Sequence, residues 1–174
     1  AHPEAGVAGP RLLTREGRLQ ISVLSSPPHP LEVLAEGFHL IRLIPQPYRG
    51  EWFLGRHWKH DRLRTVPLVF GAAVIVRRAA IAQAGGLSEE FPMYASDEEW
   101  CARLRGHGWK ILFVPGAEIV HLGRESAKGR WNGTELNREI AWSRLRFFHQ
   151  AMPRPRFVAL LIATLLAYTP NLLV

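Results

Sequence analysis

Three consecutive carboxylates, Asp97, Glu98 and Glu99, are the residues of this chain best suited to chemistry. They follow Ser96, a residue type that commonly caps the N-terminus of a helix. Carboxylates in a first helical turn are held by unsatisfied backbone N–H groups and by the helix dipole. Acid chemistry or metal chemistry is therefore possible at this point of the chain.

The same acidic cluster also has a purely structural interpretation. Acidic side chains in a first turn stabilise a helix by about 0.3–1 kcal/mol each, and ordinary helices often begin in this way. Spacing alone leaves both interpretations open.

The elements that must position these carboxylates follow from the periodicity of the chain. An apolar run over residues 72–76 precedes a helical segment that ends at Gly85-Gly86, and the acidic residues open a second helix. That helix places Trp100, Cys101 and Leu104 toward a core and ends at residues 106–108, where glycine favours a left-handed cap.

A β-rich segment follows this helix. Residues 109–114 are predicted to form a strand that Pro115-Gly116 stops, and residues 117–120 then lead to His121. A histidine at a strand end is well placed to be a ligand, although such a residue is also a common structural hydrogen-bonding group.

Four segments in this order resemble the second half of bacterial family 2 glycosyltransferases, in the rhamnosyltransferase-like branch. The resemblance extends over about residues 2–150, and the joint order of the four segments is more specific than any single motif. The segments are HPEAGVAGPRLLTREGRLQ, GAAVIVRR, GGLSEEFPMYASDEEWCARLRGHGW and VPGAEIVHLGRES. The resemblance implies an α/β chain that forms the acceptor-side half of a GT-A-like fold.

The resemblance also implies roles for individual residues. Asp97 matches the general base that deprotonates the acceptor hydroxyl in inverting transfer, and Ser96 stands where the family carries a glutamate. His121 matches a histidine beside the metal and the donor diphosphate, which implies a divalent cation, Mg²⁺ or Mn²⁺. The base is retained, while one neighbouring carboxylate is lost.

Further positions are expected to bind substrate by the same resemblance. Trp58, His60 and Asp61 are expected in an acceptor-side wall, where aromatic faces stack on sugar rings. The other expected binding residues are Gly71, Tyr94 and Glu98 near the base, and Arg124 and Arg130 in a polar loop that meets the donor diphosphate. A basic surface loop without ligand is the alternative for those two arginines.

Composition sets outer bounds on the function. The 174 residues allow one domain with a hydrophobic core, assigned here to residues 1–150, followed by a C-terminal segment over residues 151–174. The net charge is +7, but the arginines are dispersed and no nucleic-acid module is present, so we expect no nucleic-acid partner. An anionic membrane surface or phosphate-bearing substrates account for the charge instead.

Two absences from the sequence are informative. No Asp-x-Asp metal motif occurs in these 174 residues, so the nucleotide-binding half expected from the resemblance is not represented. Cys101 is the single cysteine, which excludes an internal disulfide and is typical of a small buried residue.

The remaining elements are predicted from local patterns. Residues 1–9 are expected to be a loop, residues 11–23 a hairpin, residues 31–43 a helix and residues 45–64 an irregular functional loop. An amphipathic helix is predicted over residues 135–150.

The C-terminal segment is uncharged from residue 157 to residue 174. A membrane span needs about 20 apolar residues, so this hydrophobic helix is at the threshold, and an in-plane membrane helix or a buried core helix is the alternative. Arg154 and Arg156 on its N-terminal flank favour the cytoplasmic face of the bacterial inner membrane.

The sequence therefore predicts a glycosyltransferase. It would move a sugar, rhamnose according to the branch it resembles, from a nucleotide-diphospho-sugar to a hydroxyl of a glycan or lipid-linked acceptor. The alternatives are a non-catalytic subunit that binds a glycan or partner transferase at the membrane, and a basic membrane- or nucleic-acid-binding module.

Overall fold

The computed structural model describes residues 2–123 and 132–169 as a mixed α/β fold. Two strands, β1 and β5, run parallel at its centre, and β3 adds to β5 in antiparallel orientation. On its other side β1 pairs antiparallel with β2 and, at its N-terminal end, with β4. The strands span Ala5–Leu13 (β1), Leu19–Gln20 (β2), Arg64–Val66 (β3), Ile75–Val76 (β4) and Lys110–Val120 (β5).

Six α-helices lie in the described ranges, and two short 3-10 segments, Leu40–Leu43 and Gly55–His57, accompany them. The α/β class expected from the sequence is confirmed. The helices span Pro30–Gly37 (α1), Gln46–Trp52 (α2), Arg78–Ala84 (α3), Ser96–Gly106 (α4), Gly133–Ala151 (α5) and Arg154–Tyr168 (α6).

The long strand β5 does not stop at Pro115-Gly116, and that prediction is wrong. Pro10 pairs with Val114 and Arg11 with Glu118, so the strand bulges over residues 115–117 and then resumes its pairing with β1. Proline cannot donate to a ladder, but a bulge needs no donor at that point. The strand thereby reaches His121, whose backbone N–H donates to the Leu13 carbonyl at 2.8 Å.

The main core lies between this sheet and helices α3 and α4. Trp100, Cys101 and Leu104 are all buried, as their helical spacing predicted. They pack with apolar side chains of the sheet and its flanking loops, among them Val7, Val66, Leu68, Ile111 and Phe113. The core therefore fixes one side of the helix that carries the acidic cluster.

Helix α4 begins one residue earlier than the sequence suggested. Ser96 is its first residue rather than its cap, and Ala95, with a left-handed φ of 64°, occupies the cap position without a side-chain hydrogen bond. Asp97, Glu98 and Glu99 lie in the first turn as expected. The helix ends at Gly106, and Gly108 takes a left-handed φ of 85°, in agreement with the predicted glycine end.

Several other boundaries differ from the local predictions. Strand β1 begins at Ala5, where a loop was expected, because its pairing with β5 and β4 fixes the backbone there. The hairpin over residues 11–23 is confirmed by the pairing of β1 with β2. The expected helix over residues 31–43 ends at Gly37, and the segment over residues 45–64 contains α2 rather than being wholly irregular.

Of the two C-terminal helices, α6 packs against α1, and α5 contacts α4 and α6. The side chain of Asn132 caps α5 through a capping box with Glu135, and the predicted apolar stripe of α5 is buried at Leu136 and Phe148. Helix α6 contacts α1 closely, with Ala167 set against Gly37. Among residues 2–123 and 132–169, no helix has the length and apolar character needed to cross a bilayer.

Candidate active site

The carboxylate of Asp97 is half-buried in the first turn of α4 and is oriented by two backbone N–H groups. Its Oδ2 accepts a hydrogen bond from the Gly71 N–H at 3.1 Å, and its Oδ1 accepts one from the Glu98 N–H at 3.0 Å. A carboxylate oxygen has more than one acceptor direction, so each oxygen keeps capacity for a further proton donor.

Gly71 is exposed and stands directly beside this carboxylate. A Cβ at this position would lie 3.5 Å from the Asp97 Cβ, so the glycine leaves the approach to the acid free of a side chain. The segment is anchored one residue earlier, where the Phe70 N–H donates to the Ser22 carbonyl at 2.9 Å. The structure thus brings together two of the predicted site residues.

Glu98 does not face a substrate, which corrects the expectation that it binds one. Only 7% of the residue is exposed, and both carboxylate oxygens are occupied. Oε1 forms an ion pair with Nε of Arg144 at 2.9 Å, and Oε2 accepts a hydrogen bond from the Ser26 hydroxyl. Burial raises the pKa of Glu98, while Arg144 and Ser26 oppose the rise.

The third carboxylate, Glu99, holds the helix to its neighbour. It accepts two hydrogen bonds from Arg103, at 2.7 Å and 2.9 Å, and the same guanidinium donates to the Gly86 carbonyl at 2.8 Å. The Trp100 indole N–H donates to the Gly85 carbonyl, also at 2.8 Å. These contacts join α4 to the end of α3, so Asp97 is the member of the acidic triplet whose position suits catalysis.

Trp58 and His60 lie in the core, and the stacking role expected for them is wrong. Trp58 is 4% exposed and His60 is fully buried, so neither ring has a face available to a sugar. The rings pack 4.5 Å apart, His60 Nδ1 is 2.8 Å from the Trp58 carbonyl oxygen, and both rings contact Phe113. Burial lowers the pKa of His60. Asp61, the third member of the expected wall, is exposed.

His121 is half-buried directly after β5, as its place in the sequence predicted. Its Nδ1 lies 3.2 Å from Oε1 of Gln20. In the part of the chain that the structure describes, no three histidine, cysteine, aspartate or glutamate residues are grouped closely enough to hold a metal ion. These residues therefore do not by themselves fit a divalent cation.

The other expected binding residues are placed as follows. Tyr94 is half-buried in the turn that precedes α4. Arg124 and Arg130 lie outside the described residues.

Arg144 and Ser26 are site residues that the sequence reasoning missed. A signal was present for Arg144, because it lies four residues after Ile140 and four before Phe148, inside the apolar stripe of α5. A charged residue in such a stripe needs a buried partner. No local pattern around Ser26 indicates that its hydroxyl contacts Glu98.

Known proteins resemble this chain over part of their length. A rhamnosyltransferase of Mycobacterium tuberculosis, N-acetylglucosaminyl-diphospho-decaprenol L-rhamnosyltransferase, is 32% identical over 123 residues, or 68% of this chain, in each of two strains. The O-antigen biosynthesis protein RfbC of Myxococcus xanthus is 31% identical over 134 residues, or 74% of this chain.

The chain is short beside these relatives. It spans 38% of the mycobacterial protein and 9% of the Myxococcus protein. No protein-family model and no solved structure matches the chain.

Proposed function

The chain belongs to the bacterial family 2 glycosyltransferases, in the rhamnosyltransferase-like branch, and from that premise we propose that it is the acceptor-side, catalytic-base half of a GT-A-like sugar transferase. Asp97 is the proposed base. The observation that carries the proposal is that two N–H groups, from Gly71 and Glu98, orient the partly exposed carboxylate of Asp97 at the N-terminus of α4.

The proposed reaction is an inverting displacement. The acceptor hydroxyl gives its proton to a free acceptor direction on Asp97, and the oxygen forms a bond to the anomeric carbon of the donor. The bond from that carbon to the diphosphate oxygen breaks, and its electron pair leaves with the nucleoside diphosphate. Because Asp97 is oriented before the substrate binds, less entropy is lost in placing the base when the transition state forms.

The donor and acceptor classes are taken from the named relatives. The mycobacterial relative is named for transfer of rhamnose to a decaprenol-linked N-acetylglucosaminyl diphosphate. For this chain we propose a nucleotide-diphospho-sugar donor, with rhamnose as the first candidate, and a glycan or lipid-linked hydroxyl as the acceptor.

A divalent cation enters the proposal only through His121. Mg²⁺ or Mn²⁺, when bound, would offset the charge that grows on the departing diphosphate. Since the described residues supply no further ligand set beside His121, no step is assigned to the ion, and its remaining ligands are proposed to lie outside them.

Attachment to the cytoplasmic face of the bacterial inner membrane is also part of the proposal. Helix α6 buries Leu160, Ala163 and Ala167 but leaves another apolar stripe in solvent, at Val158, Ile162, Leu165 and Leu166. Arg154 and Arg156 are exposed at its N-terminal end. An exposed apolar stripe beside basic residues supports an in-plane position on an anionic membrane.

Asp97→Asn tests the proposed function directly. In the full-length protein, incubated with a panel of nucleoside-diphospho-sugars and polyprenyl-linked glycan acceptors, this variant is expected to lower kcat by about 10²–10⁴-fold, the usual contribution of a general base. Glu16→Gln, in the exposed turn after β1, is the control and should transfer sugar at the wild-type rate. Wild-type transfer by Asp97→Asn would remove Asp97 from the mechanism.

The alternative function is that of a non-catalytic subunit that binds a glycan or a partner transferase at the membrane, and Ser96, which stands where the family carries a glutamate, is the departure from the family pattern nearest to Asp97. A subunit that only binds a glycan would retain a lipid-linked acceptor in an equilibrium binding measurement, yet transfer nothing from any donor. The same panel of donors therefore separates the two functions.

A further inference from the structure

The N-terminus of α4 lacks the side-chain N-cap that usually fixes the start of a helix. The cap residue, Ala95, has no side-chain acceptor to offer, and its backbone is left-handed, a conformation that costs a non-glycine residue free energy. One first-turn N–H, that of Glu98, donates to the side chain of Asp97 itself. The position of the proposed base therefore depends on contacts from other parts of the fold.

The side-chain carboxylate of Glu98 supplies those contacts. While its N–H holds Oδ1 of Asp97, its carboxylate is bound to Ser26 in the connector before α1 and to Arg144 in α5. Ser26 is tied to α4 a second time, because its carbonyl accepts from Arg105 at 3.3 Å. One buried residue thus connects the first turn of α4 with two separate elements.

Arg144 is the charged partner that makes this burial tolerable. A buried carboxylate without a compensating charge is strongly unfavourable, whereas this one faces a guanidinium 2.9 Å away. The guanidinium is itself packed, with its Cζ 5.2 Å from the centre of the Phe148 ring. Such packing fixes the direction from which Arg144 holds Glu98.

We propose that Arg144 is a positioning residue for the sugar transfer, and that it acts through Glu98 to fix the carboxylate of Asp97 at the N-terminus of α4. The inference rests on the proposed function of Asp97. It assigns to α5 a part in orienting the base.

A buried ion pair could instead serve stability alone, and the choice of variants separates the two roles. Replacing both partners of a buried pair by apolar side chains of similar size often preserves stability, while removal of one partner does not. The double variant Glu98→Leu/Arg144→Met is therefore expected to keep its Tm near that of the wild type, whereas Arg144→Met alone lowers it.

Two readouts on the full-length protein test the proposal. The first is kcat, expected to fall by about 10- to 100-fold in the double variant, with the acceptor KM within about twofold of wild type, because misplacement of a catalytic group acts mainly on the chemical step. The second is amide hydrogen exchange of the peptides that contain Gly71 and Glu98, whose N–H groups hold Asp97. Exchange there is expected to become faster.

Arg146→Met is the matched control. Arg146 lies on the same helix and pairs with Glu90 at the surface, without contact to Glu98. Its replacement should leave kcat and the exchange of both peptides unchanged.

A double variant with wild-type kcat and wild-type exchange would overturn the proposal. Should the double variant fail to fold, Arg144→Lys and Arg144→Gln decide the question, because only lysine keeps a charge for Glu98. Lysine is then expected to retain more of kcat than glutamine, and equal kcat values would contradict the proposal.

Failure of the proposed function gives a different result. In that case the wild-type protein itself transfers no sugar from any donor, and the exchange measurement alone then shows whether Arg144 fixes the N–H groups that hold Asp97.

Discussion

The backbone N–H of Gly71 donates to Oδ2 of Asp97 across 3.1 Å, and this bond joins the segment after β3 to the first turn of α4. The two residues are 26 positions apart in the chain. Because a glycine stands beside the carboxylate, the acid is both oriented and accessible.

Gly71→Ala and Gly71→Val test the open approach to Asp97. An alanine Cβ would sit at an ordinary contact distance, so Gly71→Ala should fold with unchanged Tm and keep most of its activity. The added methyl groups of valine crowd the acid, and kcat/KM for the acceptor should fall by at least about tenfold. Gly86→Val is the control, since no atom of residues 2–123 or 132–169 lies within 4 Å of a Cβ placed there, and an equal loss in that variant would contradict the prediction.

Glu98 should give stability a characteristic pH dependence. Its folded-state pKa is raised above the ordinary value of 4.5, chiefly by burial, so the folded protein binds more protons than the unfolded chain in the window above that value. The contribution of Glu98 to stability is therefore largest at low pH and declines as the pH rises through the window.

Glu98→Gln removes this titration. The free energy of unfolding of the variant, relative to wild type, should increase as the pH rises above 4.5, as measured by denaturant unfolding at a series of pH values. Glu16 has a lowered pKa, mainly through its hydrogen bond with Thr14, so Glu16→Gln should give a change of opposite sign, and the change should lie in the window below 4.5. A flat difference for Glu98→Gln would contradict the assigned burial.

Cys101 should resist thiol reagents in the folded protein. Burial raises the pKa of the Cys101 thiol to about 11, so only about one part in ten thousand is thiolate at neutral pH, and the sulfur is also covered. A chromogenic disulfide reagent should titrate no thiol in the native protein and one thiol after denaturation. Rapid native labelling would place the residue outside the core.

Gly37→Ala should weaken the contact between α1 and α6. A Cβ at this position would lie 2.7 Å from the Ala167 Cα, so backbone must move, at a cost of about 1–3 kcal/mol. Most of that range exceeds the roughly 1 kcal/mol that alanine gains over glycine in a helix. Thermal unfolding should show a lower Tm, whereas Gly133→Ala, which places its Cβ more than 4 Å from any atom of the described residues, should not lower it.

Leu165→Glu tests the proposed membrane surface. Leu165 is 67% exposed, so the fold should be unaffected, while binding to vesicles that contain phosphatidylglycerol should weaken by at least about tenfold. Ile75→Glu, at a residue 80% exposed on β4, should bind as wild type. Unchanged sedimentation of Leu165→Glu with vesicles would exclude this stripe from the membrane contact.

Much of the fold could be predicted from local patterns. The helical spacing of Trp100, Cys101 and Leu104 gave the buried face of α4, and glycine marked its end at residues 106–108. The bulge at Pro115-Gly116 could not be predicted, because it depends on the register between β5 and a strand far away in the chain. From local patterns alone, a proline followed by a glycine predicts the end of a strand.

The candidate site was predictable in part for a similar reason. The acidic triplet and His121 could be located because carboxylates at a helix start and a histidine after a strand are local patterns. Which carboxylate stays accessible is decided by packing. For Trp58 and His60 the prediction failed, because aromatic and histidine side chains suit a binding wall and a buried core equally well.

The sequence by itself determined the α/β class, the relationship to family 2 glycosyltransferases and the location of the acidic cluster at a helix start. Only the tertiary structure decided that Asp97 is held open by Gly71 while Glu98 is buried against Ser26, 72 positions away, and Arg144. The physical reason is that periodicity records which face of an element is buried, whereas the partner of a buried charge depends on which elements meet there. Residue type records the need for a partner but not its identity.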